Sequence, residues 1–198
     1  MDASGLFDYV MIPPAIVLGL ALTHVLSGVG RIVHRLAGHG DPIGLDWIHL
    51  IWIAHILSWI IFFWWYSYAW TTRLEWDLII FVFLIFYSIM LYVMCVVLMP
   101  SDLDEVTNFA DYFMSLRKWF FGGVILLVLV DFADTAVKGW DNVVDIGLGY
   151  AMLRTFIFIG AIGAMRSTNR VYHGLFSVVA FLWTFLFFWL NRPTISVA

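Results

Sequence analysis

Residues 77–99 read DLIIFVFLIFYSIMLYVMCVVLM. One charged residue, Asp77, opens the stretch, Pro100 follows it, and everything between is apolar or weakly polar. At about 1.5 Å of rise per residue, a helix of this length crosses the roughly 30 Å hydrocarbon core of a bilayer. Pro100 supplies the stop, since proline cannot continue the hydrogen-bond ladder. The stretch reads as a transmembrane helix.

Five further apolar blocks repeat the pattern, at 9–36, 46–70, 118–137, 143–165 and 171–190. Pro13 and Pro14 fall in the expected first turn of the first block, where a missing N–H is tolerated. Asp46 is placed to cap the second block. Polar turns separate the blocks: Gly38 to Gly44 with Asp41 and Pro42, Thr71 to Trp76, Lys138 to Asn142, and Arg166 to Arg170. The expected fold is an all-α integral membrane protein, a bundle of about six transmembrane helices forming a single domain over 1–198.

The connection 101–117 is different. Ser101 and Asp104 resemble a capping box, and Leu103, Val106, Phe109 or Ala110, Phe113 and Leu116 recur at helical spacing. This predicts a short interfacial helix between helices 3 and 4. Its polar face is acidic (Asp102, Glu105, Asp111), which favours packing onto its own bundle over binding anionic lipid.

Composition agrees with a membrane fold. Of 198 residues, 63% are hydrophobic and 12% charged, too few polar groups to cover a water-facing surface. The net charge of −4 gives no basic patch for nucleic acid. The lone Cys95 excludes an intrachain disulfide and any CxxC motif. Residues 1–8 are acidic, unlike the basic start of a secretory signal, so the first block is expected to be retained as a membrane helix.

Lysine and arginine distribute unevenly between the helix ends. Arg31, Arg35, Arg117, Lys118, Arg166 and Arg170 fall on one side, and Arg73, Lys138 and Arg192 on the other. The richer side is expected to face the cytoplasm, which puts both termini outside, most simply in a bacterial inner membrane. Trp47, Trp70, Trp76, Trp119, Trp140 and Trp189 lie near the expected ends, as an aromatic belt would. Blocks two and six are both aromatic-rich after a histidine but run in the same direction, so they do not form an inverted repeat.

Ionisable groups deep in a bilayer are costly, and each is a candidate for function. Arg154 lies near the middle of block five. Asp131 and Asp134 lie one turn apart on block four and face the same way. Counting from the turn near Trp140 places Asp134 level with Asp145, and Asp131 within reach of Arg154. An Asp131–Arg154 pair is expected, serving either as a proton, ion or anion site or as a structural lock between two helices.

His24 and His55 fall at similar depth on blocks one and two. His24, Ser27, Gly28, Arg31 and Arg35 form one polar stripe. His55, Ser58 and Tyr66 form another, interleaved with Trp59 and Phe62. Such histidines can hold a b-type haem, bind a metal, relay protons, or only hydrogen-bond between helices. His34 and His49 are level nearer the basic side, but the 24–34 and 49–55 spacings are not whole helical turns. The long, consistent histidine spacings of cytochrome b561-like and ferric-reductase-like chains are not reproduced. His39 and His173 read as interfacial. Ser88, Tyr92, Cys95 and Met99, with Met90 and Met94, make a conceivable soft-metal face, though such residues more often serve as core. Gly160, Ala161, Gly163 and Ala164, like Gly19, Thr23, Ser27 and Gly28, permit close helix contact.

No P-loop, GxSxG, HExxH, GxGxxG or potassium-filter motif occurs, and no catalytic constellation argues for an enzyme. The expected function is proton or small-ion conduction or transport through a polar interior of His24, His55, Asp131, Asp134, Arg154 and Arg31. The alternatives are a non-catalytic membrane subunit or assembly factor with structural charges, and a haem redox protein using His24 and His55. The expected surroundings are the lipid bilayer and either a homo-oligomer or a membrane partner.

Overall fold

The computed structural model describes residues 3–72, 76–139 and 147–190. Arg73, Trp140, Asp145 and Arg192, which entered the expectations above, lie outside the described residues.

Six helices are long and apolar enough to cross a membrane. They are α1 (Ala3–Leu36), α2 (Trp47–Ser67), α3 (Leu78–Leu98), α4 (Phe109–Val137), α5 (Leu148–Arg166) and α6 (Arg170–Leu190), with a 3-10 turn at Tyr68–Thr72 extending α2. Aspartate and asparagine side chains start three of them. Asp46 accepts from His49 N, Asp77 from Ile80 N, and Asn108 from Ala110 N.

Two boundaries differ from the sequence reading. α1 begins at Ala3, so Pro13 and Pro14 lie inside it. Each proline lacks an N–H, which leaves the carbonyls of Tyr9 and Val10 without their helical donors. The separate interfacial helix does not form: residues 101–108 are turns, and α4 starts at Phe109. Nor does Ser101 cap a helix with Asp104. Asp102 instead accepts the Asp104 N–H at 2.8 Å in a local turn. The loop is fastened by a parallel bridge, with Gly44 N donating to Thr107 O at 2.8 Å and Phe109 N to Gly44 O at 2.9 Å. Its apolar residues Leu103 and Val106 are buried from a turn, which accounts for the helical spacing without a helix.

Packing follows a ring. α2 touches α3 and α6, α3 touches α4, α4 touches α5, and α5 touches α6, while α1 lies outside this ring with α3 as its main neighbour. The ring interior is filled by Trp52, Phe120, Phe121, Leu84, Leu91 and Leu127. Rows of large apolar side chains face outward instead, among them Ile12, Ile16 and Leu20 of α1 and Leu78, Ile79 and Val82 of α3. Exposed apolar surface on this scale suits lipid and not water. Trp47, Trp119 and Trp189 are exposed, as belt residues are, but Trp70 is buried and turned inward. Gly160 and Gly163 take Phe176 and Tyr172 of α6 against the α5 backbone, in space that a Cβ would fill.

Candidate functional site

One end of the ring encloses a cavity of about 200 Å³. α2 contributes Trp59, Phe62, Phe63 and Tyr66, α3 contributes Tyr87, and α4 contributes Asp131, Asp134, Thr135 and Lys138. Tyr150 and Arg154 come from α5, Phe187 and Phe188 from α6. The walls are mainly aromatic, and most of the polar groups gather around one carboxylate.

Asp131 is that carboxylate. Tyr87 Oη donates to its Oδ1 at 2.8 Å, Tyr150 Oη donates to its Oδ2 at 2.5 Å, and Arg154 Nε lies 2.8 Å from Oδ2. Trp59 Nε1 donates onward to Tyr87 Oη at 2.9 Å. The Arg154 guanidinium lies over the Trp59 ring, 4.7 Å from its centroid, and over Tyr150 at 5.2 Å. The expected Asp131–Arg154 pair is therefore present, with two tyrosines added.

A second pair sits one turn along α4. Lys138 Nζ donates to Asp134 Oδ2 at 2.5 Å and to Tyr66 O at 3.2 Å, while Trp70 Nε1 donates to Asp134 Oδ1 at 3.2 Å. The i,i+4 spacing of Asp134 and Lys138 brings them together on one helix face. Two acids and two bases in the cavity wall balance one another, which offsets the cost of keeping charge away from water. Tyr87 and Tyr150 are not among the candidates that the sequence offers, and Lys138 enters there only as a helix-end cation. The signal for them was spacing: Tyr150 precedes Arg154 by four residues, and Thr135 and Lys138 follow the two aspartates by four.

His55 lies deeper than the cavity wall. It is buried among Trp52, Trp59 and Phe181, and neither ring nitrogen has a hydrogen-bond partner. Trp59 stands between it and Arg154.

His24 does not join His55. It belongs to α1, outside the ring, where its Nε2 donates to Met99 O at 2.6 Å and its ring meets Tyr92. The two histidines are not placed as facing axial ligands, because α3 and not α2 is the main neighbour of α1. With His24 committed to a carbonyl and His55 walled by aromatic rings, these residues do not fit a haem held between them. Arg31 also leaves the expected interior set. Its guanidinium donates to Ser101 O at 2.6 Å and Pro100 O at 3.3 Å.

His49 is likewise engaged at the end of α3, with Nε2 2.7 Å from Leu98 O. His34 packs on His39 near the surface, at 4.5 Å between ring centroids. On α3, Cys95 is fully buried, and Met94 and Met99 fill the space above Gly123 and Gly28. Among the described residues, no group of three or more His, Cys, Asp or Glu side chains comes together.

The chain matches no protein-family model, no curated protein and no solved structure.

Proposed function

We propose that this chain conducts or transports a proton or a small ion across the membrane, working at the Asp131–Arg154 centre. The observation that carries the reading is the convergence of four charged side chains on one partly enclosed cavity inside the helix ring. A structural lock needs one pair; an accessible cavity lined by two pairs offers a place for a mobile charge. The buried polar atoms continue beyond it. Thr184 Oγ1, both nitrogens of His55, Trp52 Nε1 and His49 Nδ1 lack protein partners. Buried groups of this kind hold water in folded proteins. From Trp59 to His49 the line climbs α2 by roughly 15 Å, about half the hydrocarbon thickness.

In this reading the end bearing Arg31, Arg35, Arg117, Lys118, Arg166 and Arg170 faces the cytoplasm of a bacterial cell and the cavity opens toward the outside, as do both termini. The surrounding lipid, or a second copy of the chain, covers the apolar exterior. Proteoliposomes enclosing a pH-sensitive dye test the proposal. Flux driven by a potassium-diffusion potential is expected for the natural chain and is lost in Asp131→Asn and in His55→Phe. Equal flux in all three proteins refutes it.

A second reading has its own support: both oxygens of Asp131 are already satisfied, as in a purely structural pair. It makes the chain a non-catalytic membrane subunit. That reading predicts a stable co-purifying membrane protein and no flux.

A further inference from the structure

The cavity's hydrogen-bonding groups are unevenly used. Every carboxylate oxygen in it already has a donor: those of Asp131 take Tyr87, Tyr150 and Arg154, those of Asp134 take Trp70 and Lys138. Each acid is also paired with a base, so the acceptor side of the cavity is largely committed. The donor side is different. Arg154 carries five N–H donors and is nearly buried, at 6% exposure. It forms one salt bridge, through Nε, and even that N–H is not aligned for a hydrogen bond. Trp59 holds the guanidinium by its face, which uses its charge but not its in-plane donors, and Tyr150 engages one donor through its hydroxyl, leaving others unspent. Spare donors on a fixed, planar, buried guanidinium match one ligand group above others, a carboxylate taken on its two oxygens.

The rest of the cavity sets the ligand's body. Phe62, Phe63, Phe187 and Phe188 supply apolar wall, with Phe62 and Phe188 stacked at 3.8 Å. Inorganic phosphate and other strongly hydrated ions would lose their water there without replacement. A volume of about 200 Å³ exceeds the roughly 150 Å³ that accepts benzene in an engineered apolar cavity.

We propose that this cavity binds a small monocarboxylate with an apolar or aromatic body, its carboxylate on Arg154 and its body between Phe62, Phe63, Phe187 and Phe188. This deepens the proposed function, and rests on it, by naming the ion that the centre handles. The acid arrives either from water, as a benzoate-sized anion, or from the membrane, as a fatty acid whose head alone enters.

Calorimetric titration of the purified full chain in a non-ionic detergent tests the proposal, with benzoate, decanoate, benzyl alcohol and inorganic phosphate as probes. Saturable binding of benzoate or decanoate at least about tenfold tighter than benzyl alcohol is expected, a ratio equivalent to one charged contact. Phosphate is expected not to bind. The tighter of the two acids identifies the source. Binding should fall at least about tenfold in Asp131→Asn/Arg154→Gln, which removes both charges together, and in Phe188→Trp, which fills the cavity and leaves the charges alone. Benzyl alcohol binding as tightly as both acids, or acid binding unchanged in Phe188→Trp, overturns the proposal. Flux of protons and of radiolabelled benzoate or decanoate into proteoliposomes separates the two readings. Proton flux without acid binding removes the ligand and keeps the ion reading, whereas acid binding with neither flux removes transport and leaves a carboxylate-binding membrane protein.

Discussion

His49 Nε2 of α2 donates to the carbonyl of Leu98, the last residue of α3, at 2.7 Å. The last carbonyls of a helix have no donor within the helix and carry its negative dipole end. Here side chains from neighbouring helices supply the donors. His24 of α1 takes Met99 O, Tyr112 of α4 takes Val97 O, and Arg31 takes Pro100 O and Ser101 O. The polar stripe on α1 thus serves to end α3. A carbonyl can only accept, so both histidines carry their proton on Nε2.

The His49 bond can be isolated by substitution. Its ring stacks on Phe109, with centroids 4.6 Å apart and planes 13° from parallel. His49→Phe keeps the stack and removes the donor, leaving a buried carbonyl unpaired at a cost of about 1–3 kcal/mol. Thermal unfolding in detergent, followed by tryptophan fluorescence, is expected to show a lowered midpoint for this variant. An unchanged midpoint would mean that water or lipid replaces the histidine.

Asp131 and Arg154 are expected to be strongly coupled. Removing either charge leaves the other buried and uncompensated, a loss of about 3–5 kcal/mol. Asp131→Asn and Arg154→Gln should each destabilise by that order, and the double variant by less than either. The interaction energy from the four-protein cycle is the measurement. Additive losses would show that the two side chains do not depend on each other for their burial.

These relationships differ in how far the sequence disclosed them. α3 was legible because an unbroken apolar run lies between a capping aspartate and a proline. Asp131 and Arg154 were legible because depth in a hairpin is arithmetic once the turn is placed. The meeting of His24 and His55 was not, since equal depth says nothing about which helices are neighbours, and α1 packs on α3. The start of α4 was misread because Leu103 and Val106 are buried from a loop at a spacing that mimics a helix. Tyr87 and Tyr150 carry no sequence signal of their own, because tyrosine is ordinary in an apolar helix. Only their contacts with Asp131 mark them.

The α5–α6 contact depends on Gly160. A Cβ there would run into the Phe176 ring, and the Tyr172 hydroxyl donates to Gly160 O at 2.8 Å. Gly160→Val should separate the helices and break that bond, at about 1–3 kcal/mol for the overpacking. A cysteine pair engineered across α5 and α6 should then crosslink more slowly than in the natural background. Equal crosslinking would show that Phe176 finds another rotamer without moving the backbone.

Asp46 joins two functions in one side chain, and graded substitution separates them. It caps α2 through His49 N and pairs with Arg170 of α6 at 2.5 Å, tying together helices far apart in sequence. Its carboxylate is almost wholly buried, while Arg170 is about half exposed at 46%. Asp46→Asn keeps a capping oxygen and loses the ion pair. Asp46→Ala loses both, adding about 1 kcal/mol for the missing cap. Arg170→Gln keeps the cap but leaves a buried carboxylate without its cation. Because an unpaired buried charge costs more than an unpaired surface one, Arg170→Gln is expected to unfold below Asp46→Asn, although it alters the more exposed partner. The reverse order in thermal unfolding would mean that water reaches Asp46 once the arginine is gone and that the pair contributes little beyond the cap.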